Sequence, residues 1–567
     1  MDKITKLTID GTTYQLGDTS SSSGRYPSPL NQQNATLYTT VSNLELEPSV
    51  VFSSSVDGDS EKAARRIPTF TVANGGTYLA ACEARTSLSD SSQTDILVAK
   101  KAASDESWTY TTIFAYDSSS KYKYMNPSFC VDRNGVNKVG RIYLFCMKFQ
   151  ITASNSGNWT KLSGSEVDNV YKYSDDNGAT WSNEQSIGAS WSSSWKYSTV
   201  SYSNSFFMND GTLVIPCMGM NSSGKQHSGV LYQKSGTTTW TYSCPTPTDG
   251  ENECTAYENN GKLFVNTRNS TDSRCIYEYD FTNDTFTLFD NSFVPNTACG
   301  ASVERVTINN VNMYVLSFVD TNADTRQNPT LWISADGIVF QRAILMYNGV
   351  VGSNAGYCSC SSYSNYVGYV YEYDSAIYFV DLTSASDILT NTASFMALSD
   401  QYNLEITKDD RYGALKYLYQ NNGSGSSEKK NSIISILNLC TESSKNTVMV
   451  IQNSKGSSKY TAGSTSTEWS DWKYLYCDIS QYAGKQLLCS ICNVSTELGI
   501  GFTAEDYKTT GNTFLSFAVG TNSYTDSLVL ITIPENAKTL YYDKYTGHSA
   551  GSLLSYYTFS PQLYILS

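Results

Sequence analysis

Ser174-Asp175-Asp176-Asn177-Gly178-Ala179-Thr180-Trp181 is the stretch on which the fold turns. It matches the pattern Ser-x-Asp-x-Gly-x-Thr-Trp at every position and reads as a tight hairpin. The Asp176 carboxylate can accept from nearby backbone amides, Gly178 can take a positive φ, and Trp181 can pack between neighbouring sheets. Degenerate copies follow the same plan. They are Ser334-Ala335-Asp336-Gly337 ending at Phe340, Ser235-Gly236 leading to Trp240, and Ser104-Asp105 leading to Trp108. Such a device is architectural, so it weighs on fold more than on function. Copies recurring along the chain, each marking one four-stranded unit, predict a β-propeller.

The composition points the same way. The chain has 567 residues, enough for two or three units, with 43 tyrosines and only 16% charged residues. Short alternating runs such as Gly140-Arg141-Ile142-Tyr143-Leu144-Phe145 and Thr212-Leu213-Val214-Ile215-Pro216 recur, and long helical patterns do not. This is an all-β composition.

Charge and rare residues narrow the chemistry. A net charge of −14 argues against a nucleic-acid partner, because counterion release needs clustered cations. An acidic substrate would have to meet a local positive pocket rather than a global field. With two histidines, His227 and His548, a Ser-His-Asp triad or a His-rich metal centre is not expected, and acid–base work falls to carboxylates or tyrosine. The 14 cysteines form no spaced disulfide framework. Cys146 and Cys217 lie within apolar strands and read as buried thiols. Cys358-Ser359-Cys360 and Cys489-Ser490-Ile491-Cys492 lack a second pair at zinc spacing, so neither a metal nor another cofactor is expected. No run of about 18 apolar residues occurs, and no membrane span is predicted.

In order, residues 1–37 read as a small strand and a polar linker, Ser-rich from Thr19 to Gly24. The start, Ile4 to Tyr14, resembles N-terminal segments of some bacteriophage tail and baseplate proteins. It has no apolar core of a signal peptide. Residues 38–390 are assigned to the propeller. Residues 391–430 are a connecting segment, with a short helix expected within Asp400 to Tyr419 and a flexible Gly/Ser-rich link from Asn421 to Lys430. Residues 431–567 alternate again without the hairpin box and are expected to form a C-terminal β-sandwich module.

The candidate chemistry starts in Arg65–Leu97, read as two strands broken by a turn at Asn74-Gly75-Gly76. Arg66 stands just before Ile67-Pro68, where Pro68 fixes its own φ and restricts its neighbour. A rigidly held guanidinium suits bidentate capture of a carboxylate or phosphate. Glu83, Arg85 and Asp90 follow on the same hairpin and its Ser-rich loop.

Arg66-Ile67-Pro68, then Glu83-Ala84-Arg85, then Asp90 and Asp95-Ile96 resembles the opening of the bacterial exo-α-sialidases (neuraminidases), whose repeated hairpin is the Asp box. The resemblance implies a six-bladed propeller closed by an N-terminal strand near Ser49 to Ser53. It continues through Glu253, Arg268, Arg326, Tyr357 in Asn354-Ala355-Gly356-Tyr357, and Glu372. By resemblance, Arg66, Arg268 and Arg326 clamp the substrate carboxylate and Glu372 orients Arg66. Tyr357 is the nucleophile with Glu253 as its partner, Glu251 being the weaker candidate for that role, and Asp90 is the acid and then the base. Asn126 stands before Pro127-Ser128 where many members of the family have an aspartate that reaches a ring hydroxyl, and Arg85 is expected on the same side of the sugar.

The residue types suit that chemistry. A sialoside carries a carboxylate on its anomeric carbon, and an anionic nucleophile would approach it against Coulomb repulsion. A neutral tyrosine avoids this, and tyrosine is an exception to the two-carboxylate rule of glycosidases. Asp90 is expected to have its pKa raised on binding, as a general acid near neutral pH requires. The expected partners are sialylated glycans, met outside the cell by a trimmed secreted enzyme or a virion component. Hydrolysis leads; trans-sialidase or intramolecular trans-sialidase activity is the alternative, and a non-catalytic sialoside-binding adhesin or phage receptor-binding protein the competing class.

Overall fold

The structure is a computed structural model. It describes nearly all of residues 46–401, with gaps at 189, 270–273, 291–298, 320–325, 348 and 353–354, and toward both termini chiefly the strands named below. The chain separates into two compact units, one of them formed by Glu45–Phe340 and Ile344–Ala393.

That unit is a six-bladed β-propeller whose blades are antiparallel sheets with consecutive strands side by side. Blade 1 holds Ala64–Val72, Thr77–Arg85, Thr94–Ala102 and Thr109–Phe114. Blade 2 holds Tyr122–Val131, Ile142–Gln150, Val167–Ser174 and Gln185–Ser186. Blade 3 begins at Trp195–Val200, blade 4 at Cys254–Asn259, blade 5 at Ser302–Ile308 and blade 6 at Cys358–Tyr363. Blade 6 takes its outermost strand, Ser49–Phe52, from the start of the propeller, pairing with Ala376–Asp381. This is the closure that the family resemblance implies, and it ties the start of the propeller into its last blade.

Apolar side chains fill the wedges between blades. Phe52, Phe70 and Tyr78 meet Val370, Ile377 and Phe379 between blades 1 and 6. Leu79, Ile96 and Phe114 meet Phe129, Leu144 and Val170 between blades 1 and 2, with Trp181 against that cluster. Trp181 reaches the wedge because the Asp box closes as its residues dictate. Asp176 accepts from Thr180 N at 2.8 Å, and Ser174 Oγ accepts from Gly178 N at 2.8 Å. Gly178 has φ +79°, and a Cβ there would come within 2.5 Å of Leu79. The degenerate copy at Ser334 closes in the same way, with Ser334 Oγ bonded to Asp336 at 2.8 Å and Phe340 buried at its end. The ten cysteines from Cys82 to Cys360 are unpaired, and all of them but Cys244 are buried.

The second unit comprises Met1–Leu44, Gln341–Ala343 and Ser394–Ser567. Its first strands, Lys6–Ile9 and Thr12–Gln15, form a hairpin with Ile9 opposite Thr12. Its later part contains a six-stranded and a four-stranded antiparallel sheet, the latter ordered Leu475–Asp478, Thr539–Lys544, Leu498–Thr503, Thr513–Ala518. The short helix expected within Asp400–Tyr419 is not found among the described residues of that segment. Helix Ser386–Gln401 precedes that segment, which pairs instead as strands Glu405–Asp409 and Ala414–Gln420. Leu415, Tyr417 and Tyr419 alternate with Lys416 and Leu418, a β-rich run whose strand preference outweighs the polarity of its flanks. The Ser-rich linker from Thr19 to Gly24 and the Gly/Ser-rich link from Asn421 to Lys430 lie outside the described residues.

No helix among the described residues is long and apolar enough to cross a membrane.

Candidate active site

Arg66 is placed by a fault in its strand. The pairing of Ala64–Val72 with Thr77–Arg85 slips between Arg66 and Thr69, and Ile67 has φ +52°. A β-branched residue in the left-handed region is strained and persists only when its surroundings hold it. Glu372 does the holding. Its Oε1 accepts from both Ile67 N and Arg66 Nε, the latter at 3.0 Å, and its Oε2 accepts from Tyr357 N at 3.1 Å. Glu372 is wholly buried and Arg66 is 5% exposed. Burial opposes the Arg66 charge, but Glu372 and Tyr357 outweigh it and raise the pKa. The neighbouring Arg65 has a different fate. Its guanidinium forms a bidentate pair with Asp57 at 2.6 Å, which ties the chain before blade 1.

Tyr357 enters blade 6 just before Cys358–Tyr363 and is 4% exposed. Its hydroxyl donates to Glu253 Oε1 in a short bond. Glu253 stands just before blade 4 and holds Arg268 through Oε2 at 2.7 Å. The guanidiniums of Arg66 and Arg326 lie 5.6 and 5.5 Å from the Tyr357 ring centre. Arg326 is steadied by donating to Ala355 O at 3.0 Å. Burial, then Glu253, drives the Tyr357 pKa well above its ordinary value, against Arg268 and Arg326, so the phenol is neutral. Glu251 faces elsewhere, accepting from Thr267 at 3.1 Å and Tyr277 at 2.8 Å.

Asp90 reaches the site from blade 1, its side chain 57% exposed and bonded to Arg85 Nη1 at 2.7 Å. Arg85 is wholly buried and also donates to Glu83 at 2.6 Å, so its guanidinium stands behind Asp90. Burial favours the neutral acid at Asp90, but Arg85, Arg66 and Lys123 prevail and lower its pKa. Asn126, at φ +54°, donates its backbone N–H to Glu83 at 2.7 Å and its side-chain amide to Val200 O at 3.1 Å.

Several further residues shape this site and were not singled out from the sequence. Tyr202 meets the Tyr357 ring edge-on at 5.0 Å, and its hydroxyl accepts from Cys358 N at 3.0 Å. A Cβ on Gly300 would stand 2.8 and 2.9 Å from Tyr202 and Tyr357, so only glycine leaves that corner open. Arg274, wholly buried, donates to Asn266 and Cys299 O. Burial and then Arg268 lower its pKa to about 10. Lys123 lies buried below Asp90. Asn354, quoted with Tyr357 in the motif, lies outside the described residues.

The site therefore concentrates cations on a chain of net charge −14. A separate cavity of about 320 Å³ lies toward the other ends of the inner strands, lined by Arg133, Asn204 and Glu304 and by none of the predicted site residues.

Residues 76–377 match the BNR repeat-like domain family, and the chain belongs to that family. Two similar curated proteins are sialidases. That of Paraclostridium sordellii is 26% identical over 346 residues, covering 56% of this chain and 83% of that protein. That of Clostridium perfringens is 26% identical over 347 residues, covering 56% and 88%. Among solved structures, the Hadza microbial sialidase Hz136 superposes with a TM-score of 0.50 at 22% identity, over 57% of this chain and 66% of that one. Trypanosoma rangeli sialidase gives 0.51 at 13% identity, over 89% and 90%. These two are likenesses of fold, and they agree with the resemblance read from Arg66-Ile67-Pro68 and the Asp box.

Proposed function

We propose that the chain is a glycoside hydrolase, a retaining exo-α-sialidase that releases terminal sialic acid from glycoconjugates. The observation that carries this reading is the Tyr357–Glu253–Arg268 relay, with Arg66 and Arg326 beside the same ring. In this reading Arg66, Arg268 and Arg326 take the substrate carboxylate by charge-assisted hydrogen bonds. The Tyr357 oxygen attacks the anomeric carbon and gives its proton to Glu253, while Asp90 protonates the departing glycosidic oxygen. Asp90 then takes a proton from water, the water oxygen displaces Tyr357 from the anomeric carbon, and Glu253 returns the phenolic proton. Two displacements give net retention.

Asp90 is held ionised in the free site by Arg85, Arg66 and Lys123. An arriving substrate carboxylate adds a negative charge, engages Arg66 and excludes water, and each effect raises the Asp90 pKa toward what an acid needs. Asn126 and Arg85 are assigned to the ring-hydroxyl side of the sugar, Arg85 acting through Asp90 and Glu83. A pure sialoside binder would need the arginines but not the Tyr357–Glu253 pair. We further assign residues 38–390 to the catalytic propeller and read the two C-terminal sheets as a β-sandwich accessory module.

Product analysis tests the reading. Incubation with sialyllactose should yield free sialic acid in its α-anomer first. Transfer to an added galactoside in preference to water would favour the trans-sialidase alternative, and an anhydro product the intramolecular one.

A further inference from the structure

Lys123 has no solvent exposure, an unusual place for an ammonium. It sits on the inner strand of blade 2, and its Nζ donates to the backbone carbonyl of Asp90 at 2.6 Å and to that of Ser92 at 3.0 Å. The face of Phe149 lies 4.7 Å from it. The charged groups facing Lys123 are Glu83 and Arg85 from the second strand of blade 1 and Asp90 from the loop. The second strand of blade 2 presents the Phe149 ring.

The loop between Arg85 and Thr94 needs such an anchor. Its own bonds are short-range serine contacts, such as Ser89 N to Ser87 Oγ at 3.2 Å and Ser91 N to Ser89 Oγ at 3.2 Å. These shape the loop without fixing where it stands. Its first arm is fastened from outside by Arg85 and Arg66, which donate to Leu88 O at 3.3 and 3.4 Å. Lys123 fastens the second arm, at the residue that carries the carboxylate.

We propose that Lys123 is a positioning residue for Asp90, pinning the main chain at Asp90 and Ser92 so that the carboxylate is presented to the arginine cluster at a fixed place. The inference rests on reading Asp90 as the acid and base of the reaction. The clamp is also a titratable one. Burial and then Arg85 push the Lys123 pKa down to about 7, against Glu83 and Asp90, so the ammonium that makes the clamp is lost as pH rises through neutrality.

The test uses the full chain and two variants. Lys123→Met keeps the length of the side chain and removes its charge; Lys123→Arg keeps the charge. In Lys123→Met, kcat should fall by roughly 10- to 100-fold, the scale of a small misplacement, with KM changed by less than about threefold. Wild-type kcat should lose the benefit of the clamp as Lys123 gives up its proton through about pH 7, so the ratio of wild-type to Lys123→Met kcat should shrink between about pH 6 and 9. Lys123→Arg keeps its charge, so its kcat should hold its advantage over Lys123→Met across that range. A merely structural lysine would lower the folded fraction and leave the ratio the same at every pH.

A second readout needs no activity. Amide hydrogen exchange of residues 86–93 in the wild type, corrected for intrinsic rates, should lose protection as pH rises through about 7, where Lys123 gives up its proton. Protection that stays flat from about pH 6 to 9 would overturn the clamp, as would a ratio of wild-type to Lys123→Met kcat that stays constant over that range in folded protein. If the chain released no sialic acid, the exchange series would still decide the clamp, and the functional reading would fail separately.

Discussion

The hydroxyl of Tyr357 donates to one oxygen of Glu253 while the other oxygen of that carboxylate holds Arg268 at 2.7 Å. One side chain thus links the candidate nucleophile of blade 6 to a proposed clamp arginine of blade 4. In the proposed reaction, a proton arriving on Glu253 weakens its hold on Arg268 as Tyr357 bonds to the anomeric carbon, which frees the guanidinium for the substrate carboxylate.

Glu253→Gln removes the proton acceptor and keeps the shape. kcat/KM should fall by about 10²- to 10⁴-fold, the usual worth of a general base. Steady-state kinetics on an α-sialoside check it. A loss under about threefold in a folded variant would remove Glu253 from the role.

Glu372→Ala strands three donors at once: Arg66 Nε, Ile67 N and Tyr357 N. Breaking a buried pair from one side costs about 3–5 kcal/mol. Urea denaturation should register a loss of that size, and activity should fall with it. A loss under about 1 kcal/mol would mean that the bulge at Ile67 holds itself.

Gly300→Ala introduces a methyl that must push Tyr202 or Tyr357 aside, since each ring lies within 2.9 Å of the new Cβ. Overpacking of this kind costs about 1–3 kcal/mol. The expected signature is a fall in kcat larger than the loss of folded protein explains, read by comparing kinetics with thermal melts. An unchanged kcat would show that Tyr357 does not need its present seat.

Glu304, in the cavity it lines with Arg133 and Asn204, brings a pH dependence of its own. Burial raises its pKa from 4.5 to about 7, against hydrogen bonds from Ser361 and Asn204 and the charge of Arg133. The folded chain therefore binds a proton that the unfolded chain has already released. This contribution to stability is full below about pH 4.5 and is lost as pH rises through about 7. Glu304→Gln lacks the titration, so its melting temperature relative to wild type should be higher at pH 8 than at pH 5. An equal difference at both values would contradict the assignment.

How far the sequence speaks depends on the range of each interaction. The Asp box is legible because its bonds are local: Ser174, Asp176, Gly178 and Thr180 satisfy one another within a single turn. The closing strand Ser49–Phe52 is legible only through the family resemblance, since its partner lies at the far end of the propeller. Pro68 signals a constrained segment at Arg66, but the positive φ at Ile67 depends on Glu372. Lys123, Arg274 and Gly300 escape notice because what makes them unusual comes from elsewhere in the chain. The one local trace is that Lys123 shares a strand face with buried Met125, where an apolar residue would be expected. The misplaced helix has the opposite cause, a polar composition weighed above the strand preference of Tyr417 and Tyr419.

The most direct test of the account is release of 4-methylumbelliferone from its α-sialoside by wild type, Asp90→Ala and Tyr357→Phe. We predict turnover in the wild type and a loss of at least about 10²-fold in both variants, with the folded fraction unchanged. Undiminished turnover in Tyr357→Phe would contradict the nucleophile, and a wild type that binds sialyllactose without cutting it would contradict the enzyme.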